Sequence, residues 1–212
     1  MRHRLALVML AATANCACSQ RTLSSERAAS LITGTDGFKR EAHITIQTDA
    51  PLQSAFKCLT QAEVERIPLH RFAVERGWVR YEARDAILGF GKTASCPAIT
   101  LTSSGEAASA TWTRGRVASS PQGVAWSVPI GRREFISVTG LTTAPDESTQ
   151  VEFNWKWTPN DAGMALRKSI QGANLFFDQR RTGRASCRRL DQDWRCQLAL
   201  WTSPDDAGEF RP

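Results

Sequence analysis

One nine-residue stretch, "TQVEFNWKW" at 149–157, constrains the fold more than any other. Apolar or aromatic side chains fall at 151, 153, 155 and 157, with polar ones between them. A period of two is the mark of a β-strand with one buried face. Two runs of the same character precede it, "GVAWSVPI" (123–130) and "RREFISVTGL" (132–141), both rich in β-branched and aromatic residues. "APDES" (144–148) supplies the turn chemistry of a hairpin between the last two. The chain carries seven tryptophans against one tyrosine, and rings of that size pack between layers.

Downstream, "TPNDAG" predicts a helix with Thr158 as N-cap, Pro159 in first position and Asp161 near the positive end, running to about Ile170. A final hairpin follows, "GRASCRRL" and "WRCQLALW" around Asp191-Gln192. Residues 113–212 therefore read as an antiparallel sheet carrying one helix.

The upstream half reads as more helical. Ser24 or Ser25 caps a helix through Ile32. "HITIQ" is a strand, and Asp49-Ala50-Pro51 predicts the start of a helix to about Leu59. Another helix from about Gln61 to Arg76 is kinked or split by Pro68 and stopped by Gly77. "WVRYE" and "AITLT" are strands on either side of a glycine-containing connection. This succession, "VERGWVRYE", loop, "ITLTSSGEAAS", resembles the winged-helix pattern over roughly residues 50–112. The resemblance implies a helical winged-helix-like unit across 19–112. The expected fold class is thus α+β, that unit packed with the C-terminal antiparallel sheet and its one helix.

The first 18 residues follow export logic. Arg2 and Arg4 make a positive start, and Leu5–Ala12 is an uninterrupted apolar run too short to span a bilayer of about 30 Å. Ala12-Thr13-Ala14 offers a cleavage site that leaves Asn15 first, and "NCAC" resembles a lipobox. The six cysteines bear on the choice, because an oxidising compartment favours paired thiols. Acylation at Cys18 leaves Cys58, Cys96, Cys187 and Cys196, an even set, whereas acylation at the alternative Cys16 leaves an odd thiol. Parity favours Cys18, with plain secretion as the rival.

A two-residue turn at Asp191-Gln192 pairs 190 with 193 and, counting outward, Cys187 with Cys196 at a non-hydrogen-bonded position within disulfide reach. Cys58 and Cys96 are then left to each other. No metal site is expected, since zinc would need two further close ligands.

Across most of the chain after residue 18, "LSSERAASLI", "LTSSGEAASATW", "W.VPIGRREFISVTGL", "VEFNWKWTPNDAGMAL", "GRAS" and "D..WR" resemble a recurrent module of uncharacterised exported proteobacterial proteins, many of them lipoproteins. The resemblance implies location and architecture and no activity.

Several activities fall away on local grounds. "AILGFGKT" (86–93) satisfies a permissive P-loop pattern, but "RYEARD" before it is charged and "ASCPAITLT" after it contains proline and β-formers. The buried strand and following helix that cradle phosphates are both missing. No nucleotide, metal or other cofactor is expected. Past the leader only His43 and His70 could serve a hydrolase, and there is no G-x-S-x-G.

The formal charge of +6 leans on the C-terminal half. Between Met164 and Cys196 stand eight Lys/Arg against three Asp. Arg180, Arg181, Arg184, Arg188 and Arg189 form the candidate basic surface, suited to an anionic envelope component or an acidic envelope protein. Export excludes nucleic acid as a partner. The expectation is a non-catalytic cell-envelope binding or structural module, periplasmic and lipid-anchored. Its alternatives are an envelope hydrolase and an immunity-type inhibitor of an exported toxin.

Overall fold

The computed structural model describes residues 22–54, 56–117, 120–199 and 204–212. The leader and both lipidation candidates, Cys16 and Cys18, lie outside them. In chain order the first elements are α1 (Ser25–Gly34), α2 (Asp36–Lys39), β1 (Ala42–Thr48), α3 (Gln61–Glu65), α4 (Pro68–Glu75), β2 (Val79–Ile87), β3 (Thr93–Leu101) and α5 (Ser103–Ala108). There follow β4 (Thr113–Val117), β5 (Ser120–Thr143), β6 (Thr149–Pro159), α6 (Asp161–Ser169), α7 (Ala173–Asp178), β7 (Arg181–Leu190), β8 (Asp193–Leu198) and α8 (Pro204–Ala207).

The α+β expectation with a helical winged-helix unit is overturned. Strands hold 46% of the described residues and helices 31%, and the main sheet is a curled antiparallel half-barrel. The order of that sheet is β1-β5-β6-β7-β8, with β4 also on β5. Of the expected winged helix only the β2–β3 hairpin forms as a wing. Its helices are short, α3 with 5 residues and α4 with 8, and β1 is drawn into the large sheet. Pro68 splits the expected helix, sitting in the first turn of α4 where its missing N–H costs nothing. Gly77 ends it at φ +67°.

Among the described residues of 50–59 the predicted helix is absent. Asp49 takes a left-handed conformation (φ 63°), and the backbone groups beyond it go to β3 and to the loop itself. Leu52 N–H donates to the Pro97 carbonyl, and Leu59 N–H to that of Leu52. Nor is there one helix in the C-terminal half, since α6, α7 and α8 all follow β6. The cap of α6 is Asn160, whose side chain accepts from Gly163 N–H, while Thr158 and Pro159 remain in β6.

The two runs at 123–130 and 132–141 are one bent strand. Residues 124–127 of β5 pair with β1 on one edge and β4 on the other, and from Gly131 onward β6 takes over the edge that β4 leaves. Ile136 and Thr139 are bulged out of the pairing with β6, which adds bend and twist.

The inward side chains of β6 are the alternating set read from the sequence, Val151, Phe153, Trp155 and Trp157, each almost wholly buried. Gly183 on β7 leaves room for the Phe153 ring, because a Cβ there would lie 2.3 Å from it. Ile32 of α1, Phe38 of α2, Leu166 of α6 and Phe176 and Phe177 of α7 belong to the same core. That cluster runs from Leu23 to Phe210 and takes in Phe72, Trp78 and Ile99, so residues on both sides of position 112 share it.

Candidate functional site: two hairpins and the arginines between them

Both expected disulfides are present. Cys187 and Cys196 face each other across β7 and β8 with Cα atoms 4.0 Å apart. The register 190/193, 189/194, 188/195 and 187/196 is the one that a turn at Asp191-Gln192 dictates. Cys58–Cys96 joins the loop after β1 to β3. Two such bonds are at home in an oxidising, exported environment. No helix among the described residues is long and apolar enough to cross a membrane.

The five candidate arginines do not form one surface. On β7, positions 181, 183, 185 and 187 turn inward, and 182, 184 and 188 are exposed. Arg181 is buried, so it is removed from the basic strip. Its Nη1 lies 2.9 Å from Asp206 Oδ1, and its guanidinium stands over Trp155 (5.7 Å) and Phe176 (5.5 Å). Arg184 and Arg188 face outward, paired with Glu152 at 3.1 Å and Asp146 at 2.6 Å. Arg189, one position further on, is exposed and lines the same cleft as Arg188. Arg180 is exposed just before the strand.

Arg133 of β5 is a second buried arginine, and sequence reading missed it. Its guanidinium lies 4.4 Å from the Trp157 ring centre and 5.0 Å from that of Trp155. Nη1 donates to the Gly37 carbonyl at 2.7 Å and Nη2 to that of Asp206 at 2.5 Å. Burial, with Arg40 adding to it, lowers its pKa to about 10, so it stays charged at neutral pH. Arg133 and Arg181 together hold the C-terminal segment against the sheet through aromatic faces and Asp206. Their role is architectural.

A cleft of about 580 Å³ opens where the β5–β6 turn, the β7–β8 hairpin and the start of α1 meet. Leu141, Leu190 and Trp194 give it apolar walls, and Arg188, Arg189 and Asp146 give it charge. Leu141 is 37% exposed and Leu190 49%. The Ser148 hydroxyl and backbone N–H, with Arg188 behind them, hold the Asp146 carboxyl below its usual range. Arg188 is engaged by that carboxylate, whereas Arg189 has no ion pair among the described residues. Thr22, the first described residue, lies on the rim.

The histidines stand elsewhere. His70 sits in α4, where burial lowers its pKa, and its Nδ1 is buried with no partner among the described residues. His43 is in β1, where its backbone pairs with Gly208 and Phe210. Neither ring is hydrogen-bonded to a nucleophile or a carboxylate among the described residues.

The glycine-rich "AILGFGKT" segment is the tip of the β2–β3 hairpin. A strand, not a helix, follows it, so it lacks the geometry of a phosphate loop.

The chain matches no protein-family model, no curated protein and no solved structure.

Proposed function

We propose that this chain is a non-catalytic binding module of the bacterial cell envelope. It is exported to the periplasm, held to a membrane by an acyl group on Cys18, and receives a segment of an envelope protein in the cleft between its two C-terminal hairpins. The cleft carries the reading. Apolar walls of Leu141, Leu190 and Trp194 beside Arg189, a guanidinium with no ion pair among the described residues, suit a segment that pairs apolar side chains with a carboxylate. The rim residue Thr22 stands four positions after Cys18, so a tether there spans at most about 14 Å. The two disulfides and the lipobox-like "NCAC" support export.

The test is site-specific photo-crosslinking in intact cells. A photoreactive residue at Leu190 or Leu141 gives a discrete adduct, one at Leu175 (75% exposed on α7) does not, and Arg189→Glu lowers the yield at Leu190. Equal adducts at Leu175, or a yield indifferent to Arg189→Glu, overturn the cleft as the binding site.

A further inference from the structure

The tip of the β2–β3 hairpin is built against the interest of folding. Phe90 is 101% exposed, Ile87 74% and Phe56, from the loop after β1, 70%. The Phe56 and Phe90 ring centres lie 6.1 Å apart. Phe90 also adopts φ 63°, with Gly91 beside it at φ 72°. The left-handed region is unfavourable for a bulky side chain, so Phe90 adds strain and buries nothing. Glycine or asparagine would make the same turn more easily. The Cys58–Cys96 bond, two residues after Phe56, keeps the second ring beside the first.

At the tip itself the charge without an ion pair among the described residues is positive, with Asp85 and Glu63 just outside it. No Asp or Glu occurs from Ala50 to Ala62 or from Ala86 to Leu101, while Lys57 and Lys92 fall within those stretches. Lys57 pairs with Glu63 at 3.0 Å, and Lys92 has no ion pair among the described residues. A protruding apolar knob with Lys92 beside it is the wrong shape for a groove-bound ligand. It is the right shape for the boundary between headgroups and acyl chains, where rings enter and lysines stay with anionic phosphates.

We infer that the β2–β3 tip is a membrane-contact element, inserting Phe90, Phe56 and Ile87 into an anionic lipid surface with Lys92 at the headgroups. This contact is separate from the cleft and from any acyl anchor.

The test uses residues 19–212 exported behind a cleavable secretory leader, so that neither an acyl group nor the apolar leader contributes. Co-sedimentation is measured with vesicles of phosphatidylethanolamine and phosphatidylglycerol, roughly three to one, against phosphatidylcholine vesicles. The parent binds the anionic vesicles more tightly. Phe90→Asp with Phe56→Asp weakens that binding about tenfold or more, and Phe90→Gly, which also relieves the backbone, weakens it in the same direction. Lys92→Glu weakens binding to anionic vesicles about fivefold and leaves phosphatidylcholine unchanged. Thermal melting of each variant checks that the fold is intact. A parent that ignores anionic vesicles, or aspartate variants that bind like it, overturns the inference. So does a tip that captures a protein without binding vesicles. Crosslinking in the cleft is unaffected by any of these results.

Discussion

The molecule has two disulfide-braced hairpins, and the bonds do different things in them. In β7–β8 the Cys187–Cys196 bond joins two strands already paired by the sheet and closes a separation of only 9 residues. In β2–β3 the Cys58–Cys96 bond reaches outside the hairpin and closes 38. The first reinforces a register that the turn and the sheet already specify. The second holds a loop with no helix or strand of its own beside an exposed tip. The difference teaches where each braced segment gets its order: β7–β8 from the main sheet, and the loop beside β3 from a covalent staple.

The largest test of that contrast is removal of the staples. On chain-entropy grounds Cys58→Ser with Cys96→Ser costs about 4 kcal/mol and Cys187→Ser with Cys196→Ser about 2.5 kcal/mol. Urea unfolding of the two double variants measures both, and the reverse order would break the comparison.

Next come the arginines of β7. Arg181→Ala removes the ion pair with Asp206 and leaves a void against Trp155 and Phe176, for a cost of about 3 kcal/mol. Arg184→Ala loses an exposed pair with Glu152 and costs about 0.5 kcal/mol or less. The same unfolding experiment reads both. Equal losses would mean that the root of the β7–β8 hairpin does not depend on its inward arginine.

The smallest effect is a pH dependence on the β2–β3 side, where α4 packs against β1 and β2. Burial lowers the pKa of His70 below its ordinary 6.5. The folded state therefore binds fewer protons than the unfolded one just below that pH. Stability is fully present above pH 6.5 and falls as the pH drops through the lowered value. In His70→Leu, melting temperature changes less between pH 8 and pH 5 than in the parent. An unchanged dependence would place the acid sensitivity elsewhere.

Legibility in the sequence followed the same division. The β7–β8 register could be counted outward from a two-residue turn, which named Cys187–Cys196 and left Cys58 to Cys96. The inward row of β6 was visible because nothing interrupts its alternation. Arg181 was recoverable in principle, since Cys187 faces inward and 181 stands an even number of residues away. Arginines mostly stand at the surface, and that tendency hides the parity. Arg133 was harder. The buried positions of β5 are even at 128 and 130 and odd at 131 and 133, so the bend defeats the count. Pro129 and Gly131 also made one strand look like two. The false helix at 50–59 came from a local cap signal, Asp49-Ala50-Pro51, that long-range bonds to β3 override. Local chemistry in the sequence cannot show a partner strand 40 or more residues away.

The proposed function requires export, the two disulfides and an acyl group on Cys18. Intact-mass measurement with non-reducing peptide mapping, on chain purified from solubilised envelopes, tests this most directly. The predicted result is a chain beginning at an acylated Cys18, with peptides linked Cys58 to Cys96 and Cys187 to Cys196. A full-length chain with free thiols and no acyl mass would contradict it.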